Sequence, residues 1–226
     1  STRTPLMVRL PGITRAGKVD KRHMVSVVDL LPTILETLGL APPKRQDGRS
    51  FFPLLKGEKQ AGRNYVIKEY NENAGRSRDP MRAVQTKKYL YLFNPWSNGE
   101  RVFATATNGT VTCKRMIELA KTDEKMAARL DLYRHRVPEE LYQVDEDPDC
   151  LVNLIEHPDH QEELKKLRSI LTKWMVQSGD PLIDPFRKRE DAAYVEAYVQ
   201  RLENESAARR SNKNKGDKSK KKPKKK

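Results

Sequence analysis

Met81-Arg82-Ala83-Val84-Gln85, followed by Thr86-Lys87-Lys88 and then Tyr89-Leu90-Tyr91-Leu92-Phe93, is the stretch that decides the architecture of this chain. Two short apolar runs flank a polar break, and this predicts an antiparallel hairpin turning at 86–88. Successive side chains of a strand point to opposite faces. Tyr89 and Tyr91 therefore share one face, and Leu90 and Leu92 share the other. Before the hairpin, Tyr65-Val66-Ile67-Lys68-Glu69-Tyr70 reads as another strand, joined to it by a polar loop. After it, 94–112 is irregular, and 114–130 has helical spacing with a break at Thr122-Asp123. Leu141–Val144 is a further short strand. Residues 159–177 then place Leu164, Leu167, Ile170, Leu171, Trp174 and Met175 on one helical face. Gly179-Asp180-Pro181 stops that helix, and 187–204 reads as one more, charged helix.

Toward the start, Pro5–Leu10 reads as a buried strand ended by Pro11-Gly12, with a polar loop over 13–24. Asp29 suits a helix N-cap, with Pro32 tolerated in the first turn. Ile34, Leu35 and Leu38 give that helix an apolar face, and Gly39 closes it. Phe51, Phe52, Leu54 and Leu55 form a short apolar patch ended by Gly57. One strand–helix unit followed by mostly antiparallel strands and a long helix is an α/β arrangement tapering into a small α+β subdomain. The expected divisions are 1–60 for the α/β part, 61–186 for the subdomain, 187–205 for the charged helix or linker, and 206–226 for a disordered tail. A buried strand within the first ten residues predicts a preceding segment that supplies its neighbours.

The net charge of +14 is mostly local. Ser206–Lys226 holds 11 Lys or Arg against one Asp, so the first 205 residues carry only +4. The tail is too charged and too poor in apolar residues to bury a core. It has no interleaved aromatic residues, which excludes specific nucleic-acid reading. No run approaches the ~18 apolar residues of a membrane span. Cys113 and Cys150 lie far apart, with no metal-like spacing.

Several segments together resemble the sulfatase family of the alkaline-phosphatase-like superfamily, over roughly residues 1–186. They are Arg3–Gly12, Val25–Glu36, Asp47–Gly57, Pro80–Thr86, Glu140-Leu141-Tyr142 with Asp147-Pro148 and Asn153-Leu154, and Trp174–Pro181. Pro80–Thr86, the insert at 94–136 and the Trp-Met…Gly-Asp-Pro ending are most similar to the heparan N-sulfatase (N-sulfoglucosamine sulfohydrolase) branch and its bacterial relatives. The resemblance implies the C-terminal part of that fold, ending in a small antiparallel sheet packed on a long helix. It implies hydrolysis of sulfate esters or sulfamates on a sulfated saccharide, with a calcium ion and a formylglycine made from Cys or Ser in a Cys/Ser-x-Pro-x-Arg motif. Cys113 is followed by Lys114-Arg115-Met116 and Cys150 by Leu151-Val152-Asn153, so neither fits. Nucleophile and calcium ligands are expected upstream of Arg3, which leaves no catalytic residue and no metal ligand in this chain. The family is usually exported, so a periplasmic or extracellular home is expected.

Asn71, Glu72, Arg76, Arg78 and Arg82 are the candidate substrate-binding residues. An Arg fork suits sulfate, and a Glu accepts hydrogen bonds from sugar hydroxyls. The resemblance places a His-Glu pair facing the sugar in this loop; Asn71-Glu72 stands there, with Asn in place of His. Asp145, Asp147, Asp149 and Glu156 approach a calcium loop, but Cys150 occupies the position that requires Gly. An acidic turn is the simpler reading. His23, His135, His157 and His160 are scattered, and Asn108-Gly109-Thr110 is a glycosylation sequon. Two alternatives to a sulfatase segment are a non-catalytic carbohydrate-binding remnant and a polyanion binder driven by the basic tail.

Overall fold

The computed structural model describes residues 4–72, 78–103 and 105–220, with the side chains of 210–220 left aside. The chain divides into two compact units, Ser1–Ile67 and Lys68–Lys226, against an expected first boundary at residue 60.

The first unit contains helix α1 (Leu30–Thr37) and the short α2 (Phe52–Lys56). A buried polar knot organises it. The Asp29 carboxylate accepts from the Ser26 N–H at 2.9 Å, the Arg49 N–H at 2.8 Å and the Arg63 guanidinium at 2.6 Å. The side chain expected to cap α1 is turned instead onto the chain before the helix and onto two distant arginines. The Thr33 hydroxyl adds a bond from the Phe51 N–H at 3.0 Å. Gly48 is required here: a Cβ on it would lie 1.9 Å from the Val28 carbonyl oxygen. Gly39 and Gly57 adopt positive φ and end α1 and α2.

The strand expected at Pro5–Leu10 does not form. The described residues of this stretch are irregular and largely solvated, with Met7 92% exposed. A strand exists only as part of a ladder that satisfies its N–H and C=O groups, and no described strand pairs with this one.

In the second unit, β1 (Val66–Tyr70, spanning the division), β2 (Met81–Gln85), β3 (Tyr89–Phe93) and β4 (Glu139–Gln143) form one sheet in that order. The hairpin is as expected, with Arg82 opposite Phe93 and Val84 opposite Tyr91. β4 pairs antiparallel with β3, Tyr91 opposite Leu141. The expected helix at 114–130 is two, α3 (Val111–Leu119) and α4 (Glu124–Arg134), broken where Asp123 caps the second. Helix α5 (Gln161–Ser178) buries Leu164, Leu167, Leu171 and Met175 against β2 and β3. Each such side chain is worth about 1.5–3 kcal/mol. Tyr91, Phe93 and Glu139 lie on this covered face, where Glu139 takes the Tyr91 hydroxyl and the Arg168 guanidinium of α5. The opposite face holds Ala83, Leu90, Tyr142 and Val144.

Short α6 (Ile183–Arg187) sets Phe186 edge-on to Phe93 at 5.0 Å. Helix α7 (Ala192–Lys220) starts later than the expected 187 and continues through much of the segment read as a disordered tail. Tyr198, Val199, Leu202 and Ser206, at helical spacing, are buried and dock it. Once docked, Ala207 and Ala208, strong helix formers, extend it. Among the described residues no helix is long and apolar enough to cross a membrane.

Candidate functional site

β1 ends at Tyr70 and β2 begins at Met81, so the loop between them hangs from two adjacent strand ends. Such loops on rigid scaffolds are where recognition residues gather. Asn71 and Glu72 are exposed on it. The Glu72 carboxylate accepts from Arg209 Nη1 of α7 at 2.5 Å. Arg78 is half-buried and paired with Glu205 of α7, and its N–H donates to Ser206 Oγ at 3.3 Å. Asp79, fully buried, meets Arg101 Nη2 at 3.1 Å, and Arg101 Nε approaches Glu203 of α7 at 3.5 Å. Burial raises the Tyr70 phenol above its ordinary value, and the Asp79 and Glu72 carboxylates add to this. Burial also raises Tyr198 of α7, with Arg201, Arg78 and Arg82 opposing. Helix α7 thus touches both described ends of this loop, at Glu72 and Arg78. Arg76 falls outside the described residues.

Arg82 lies in β2 beside the loop, in the strand expected, and its side chain is 2% exposed. Its Nε donates to Asp180 Oδ2 at 2.7 Å, and its Nη1 to the carbonyls of Met81 at 2.8 Å and Tyr70 at 3.1 Å. The guanidinium is spent on joining β1 and β2 to the turn after α5. Asp180 Oδ1 also accepts the Leu182 N–H at 2.8 Å. The alternation that makes β2 a strand turns Arg82 toward the face covered by α5, as it does Val84.

Sequence reading did not identify the partners Asp180, Arg101, Glu203, Glu205, Ser206 and Arg209. They come from three other segments, and no local spacing connects them to the loop.

The remaining candidates form no site. Asp147 Oδ2 accepts the Leu151 and Val152 N–H groups at 2.7 and 2.9 Å, which is the acidic turn expected. Cys150 sits in it at φ 54°, the left-handed conformation that a calcium loop gives to Gly. These residues do not fit a calcium ion, and among the described residues no three His, Cys, Asp or Glu side chains gather to hold a metal. Cys113 is buried in α3 and both cysteines are free thiols. His160 Nδ1 lies 3.0 Å from the Tyr89 hydroxyl, and His135 Nδ1 lies 2.6 Å from Asp131. These are surface pairings. In the sequon, the Asn108 amide donates to the Phe103 carbonyl and the Thr110 hydroxyl caps α3.

Residues 1–100 match the family described as N-sulphoglucosamine sulphohydrolase, C-terminal. An ulvan-active sulfatase of Formosa agariphila is 30% identical over 182 residues, covering 80% of this chain and 34% of the relative. A Δ4,5-hexuronate-2-O-sulfatase of Bacteroides thetaiotaomicron is 30% identical, covering 71% and 34%. Human N-sulphoglucosamine sulphohydrolase is 28% identical, covering 80% and 38%. A solved structure in complex with its substrate D-glucosamine-2-N,6-O-disulfate shares 18% identity at a TM-score of 0.49, covering 80% of this chain and 29% of that one. The chain spans about a third of the length of the curated relatives it matches. The chain is thus similar to sulfatases along most of its length, and its first 100 residues to the C-terminal part of the N-sulphoglucosamine sulphohydrolases.

Proposed function

We propose that this chain is the C-terminal part of an enzyme that hydrolyses sulfate esters or sulfamates of a sulfated glycan, and that it contributes one wall of the substrate pocket. The observation that carries this is the likeness to glycan sulfatases along four-fifths of the chain. The nucleophile, made from Cys or Ser in a Cys/Ser-x-Pro-x-Arg motif, and the calcium ligands are assigned to the part upstream of Arg3. This chain covers 34–38% of the length of these relatives, which leaves room for such a part. A formylglycine and a calcium ion held by residues outside this chain would supply the nucleophile and the Lewis acid, and this chain's residues would supply recognition. Asn71 and Glu72 are the proposed hydrogen-bonding pair for the sugar, and Arg78 and Arg76 the proposed cations for sulfate. Arg82 and Asp180 fix the strand ends from which the loop hangs.

The first unit supports an upstream partner within the same protein. It exposes Leu6, Met7, Val8, Leu31, Ile34 and Leu38, apolar side chains that a packed partner would cover. An exported location, periplasmic or extracellular, accords with a polymeric glycan substrate.

The test is sulfate release from sulfated oligosaccharides by the whole protein and by the 226-residue chain. The whole protein turns over and the chain alone does not. Turnover by the chain above a heat-killed control would refute the assignment. So would a coding sequence with no Cys/Ser-x-Pro-x-Arg motif upstream.

A further inference from the structure

Both described ends of the candidate loop rest on side chains from one short segment, residues 96–103. At the entry, Tyr70, the last residue of β1, meets the Phe103 ring edge-on, with 6.2 Å between centroids. Phe103 in turn stacks on the fully buried Trp96 at 5.2 Å. The Arg101 guanidinium lies over the same Trp96 ring, 5.8 Å from its centroid. At the exit, Arg101 Nη2 reaches Asp79 Oδ1 at 3.1 Å and donates to the Arg78 carbonyl at 3.4 Å. Its Nε approaches Glu203 of α7 at 3.5 Å. One guanidinium therefore joins the aromatic pair, the residue that carries the proposed sulfate cation, and helix α7. The segment that presents Arg101 is itself anchored. Asn98 Oδ1 accepts the Glu100 and Arg101 N–H groups at 3.1 and 3.0 Å. Val102 pairs with His135 in a bridge, and the Phe103 N–H donates to the Arg134 carbonyl at 2.8 Å. The side chain of Arg101 is 11% exposed, whereas that of Arg78 is 30% exposed and its partner Glu205 40%. A pair as open as Arg78–Glu205 holds a side chain weakly.

We propose that Arg101 is a positioning residue for substrate recognition. By holding Asp79 and the Arg78 carbonyl beside the stacked Trp96 and Phe103 rings, it sets where Arg78 stands relative to Asn71 and Glu72 at the other end of the loop. The inference rests on the sulfatase reading and adds to it a residue that acts through Arg78. The contacts call for a guanidinium. Its planar fork of donors reaches several acceptors at once and lies on an aromatic face, whereas a Lys ammonium satisfies the charge of Asp79 without the fork or the stacking. Displacing a recognition group by about 1 Å costs up to roughly a hundredfold in rate or binding. Contacts away from the reacting bond bind substrate and transition state alike, so their loss raises KM and leaves kcat in place.

The test measures sulfate release by the whole protein from tetrasaccharides derived from heparin and from ulvan. It compares Arg101→Lys with the control Arg168→Gln, which removes another guanidinium of the same unit, paired with Glu139 inside the sheet–α5 interface. Circular dichroism melts report the stability lost in each. Arg101→Lys is expected to raise KM about tenfold with kcat changed less than about twofold, and the control to move neither by more than about twofold. In an Arg78→Gln background, Arg101→Lys should add less than about twofold, because the residue it acts through is already gone. A second variant, Arg101→Gln with Asp79→Asn, removes both buried charges, so that neither is left uncompensated, and should raise KM at least as much. The inference is overturned if both Arg101 variants leave KM unchanged, if kcat falls by the same factor as KM rises, if the control raises KM equally, or if the effects of Arg78 and Arg101 simply multiply. The two readings fail separately. Tetrasaccharide binding without any sulfate release by the unaltered protein overturns the enzyme assignment alone, and the same comparisons are then read in Kd. Release with KM unmoved by the Arg101 changes overturns this inference alone.

Discussion

Replacing Arg82 with Met tests whether this cation is structural or available to substrate. Its side chain is 2% exposed and that of Asp180 3%, with 2.7 Å between Nε and Oδ2. Met keeps much of the volume and removes the charge. Asp180 is then left buried with the Leu182 N–H at 2.8 Å as its remaining side-chain bond shown here, and the Tyr70 and Met81 carbonyls lose a shared donor. Removing one member of a buried pair costs about 3–5 kcal/mol, because the survivor is uncompensated. For a unit of this size that lowers Tm by roughly 6–20 °C. Both tryptophans, Trp96 and Trp174, lie in the Lys68–Lys226 unit, so their fluorescence in a urea titration reads it directly. Asp180→Asn in the Arg82→Met background should cost less than it does alone, since the stranded charge disappears; a coupling of about 0.5–3 kcal/mol is expected. A loss below ~1 kcal/mol for Arg82→Met, within the range of an ordinary surface change, would refute the reasoning. It would return Arg82 to the candidate substrate cations.

In the whole protein, Glu72→Gln should lower kcat/KM about ten- to hundred-fold, from the roughly 1.5–3 kcal/mol of a bond to a charged acceptor. Arg209→Gln, which breaks the same ion pair, should cost less, and equal losses in steady-state assays would make Glu72 only an anchor for α7. Leu171→Ala, at the centre of the buried stripe of α5, should destabilise the Lys68–Lys226 unit by about 2–5 kcal/mol in the same urea titration. Gly48→Ala should disrupt the Asp29 knot, because the new Cβ would lie 1.9 Å from the Val28 oxygen; faster exchange of the Arg49 amide reports it. Burial pushes the Asp20 carboxyl up, but the N–H groups of His23 and Arg22 outweigh it and hold it at about 2, below the ordinary 3.8. A lowered carboxylate contributes stability above pH ~4 that is lost as pH falls through ~2. The His23 amide resonance should therefore titrate in that window, and Asp20→Asn should abolish the step.

What was legible in the sequence were the elements made by their own neighbours. The β2–β3 hairpin follows from alternation around a short polar turn, and α5 from apolar residues three and four apart; both stand where expected. The stretch Pro5–Leu10 shows the converse. Its apolar run has the composition of a buried strand, but composition supplies no ladder partner, and the described residues stay solvated. Asp29 had the right residue type for a cap, yet two arginines twenty and thirty-four positions away took its carboxylate. For the candidate site, Asn71, Glu72 and Arg78 lie in the loop expected. Its lining by α7 was illegible, because a helix read as charged and solvated reveals its docking face only through Tyr198, Val199 and Leu202, too few apolar positions to outweigh the charge.

The segments that carry the family resemblance do different physical work from the residues proposed to meet substrate. Pro80–Thr86 and Trp174–Pro181 are almost a hundred residues apart, and they meet in one buried contact, Arg82 with Asp180. Asp180 can reach it because Gly179 takes the left-handed conformation and closes α5, which aims the next residue back at the sheet. The contact joins the sheet to the turn after α5 at the same strand ends that hold the loop, through the Tyr70 and Met81 carbonyls. Likeness in these segments therefore preserves a frame and leaves the loop free to differ. Asn71, where the resemblance places a His, is such a difference: it trades a titratable ring for an amide that stays neutral at every pH. In the whole protein, the KM–pH profile should then show no inflection from this position near the ~6.5 of an imidazole. Asn71→His should introduce one there.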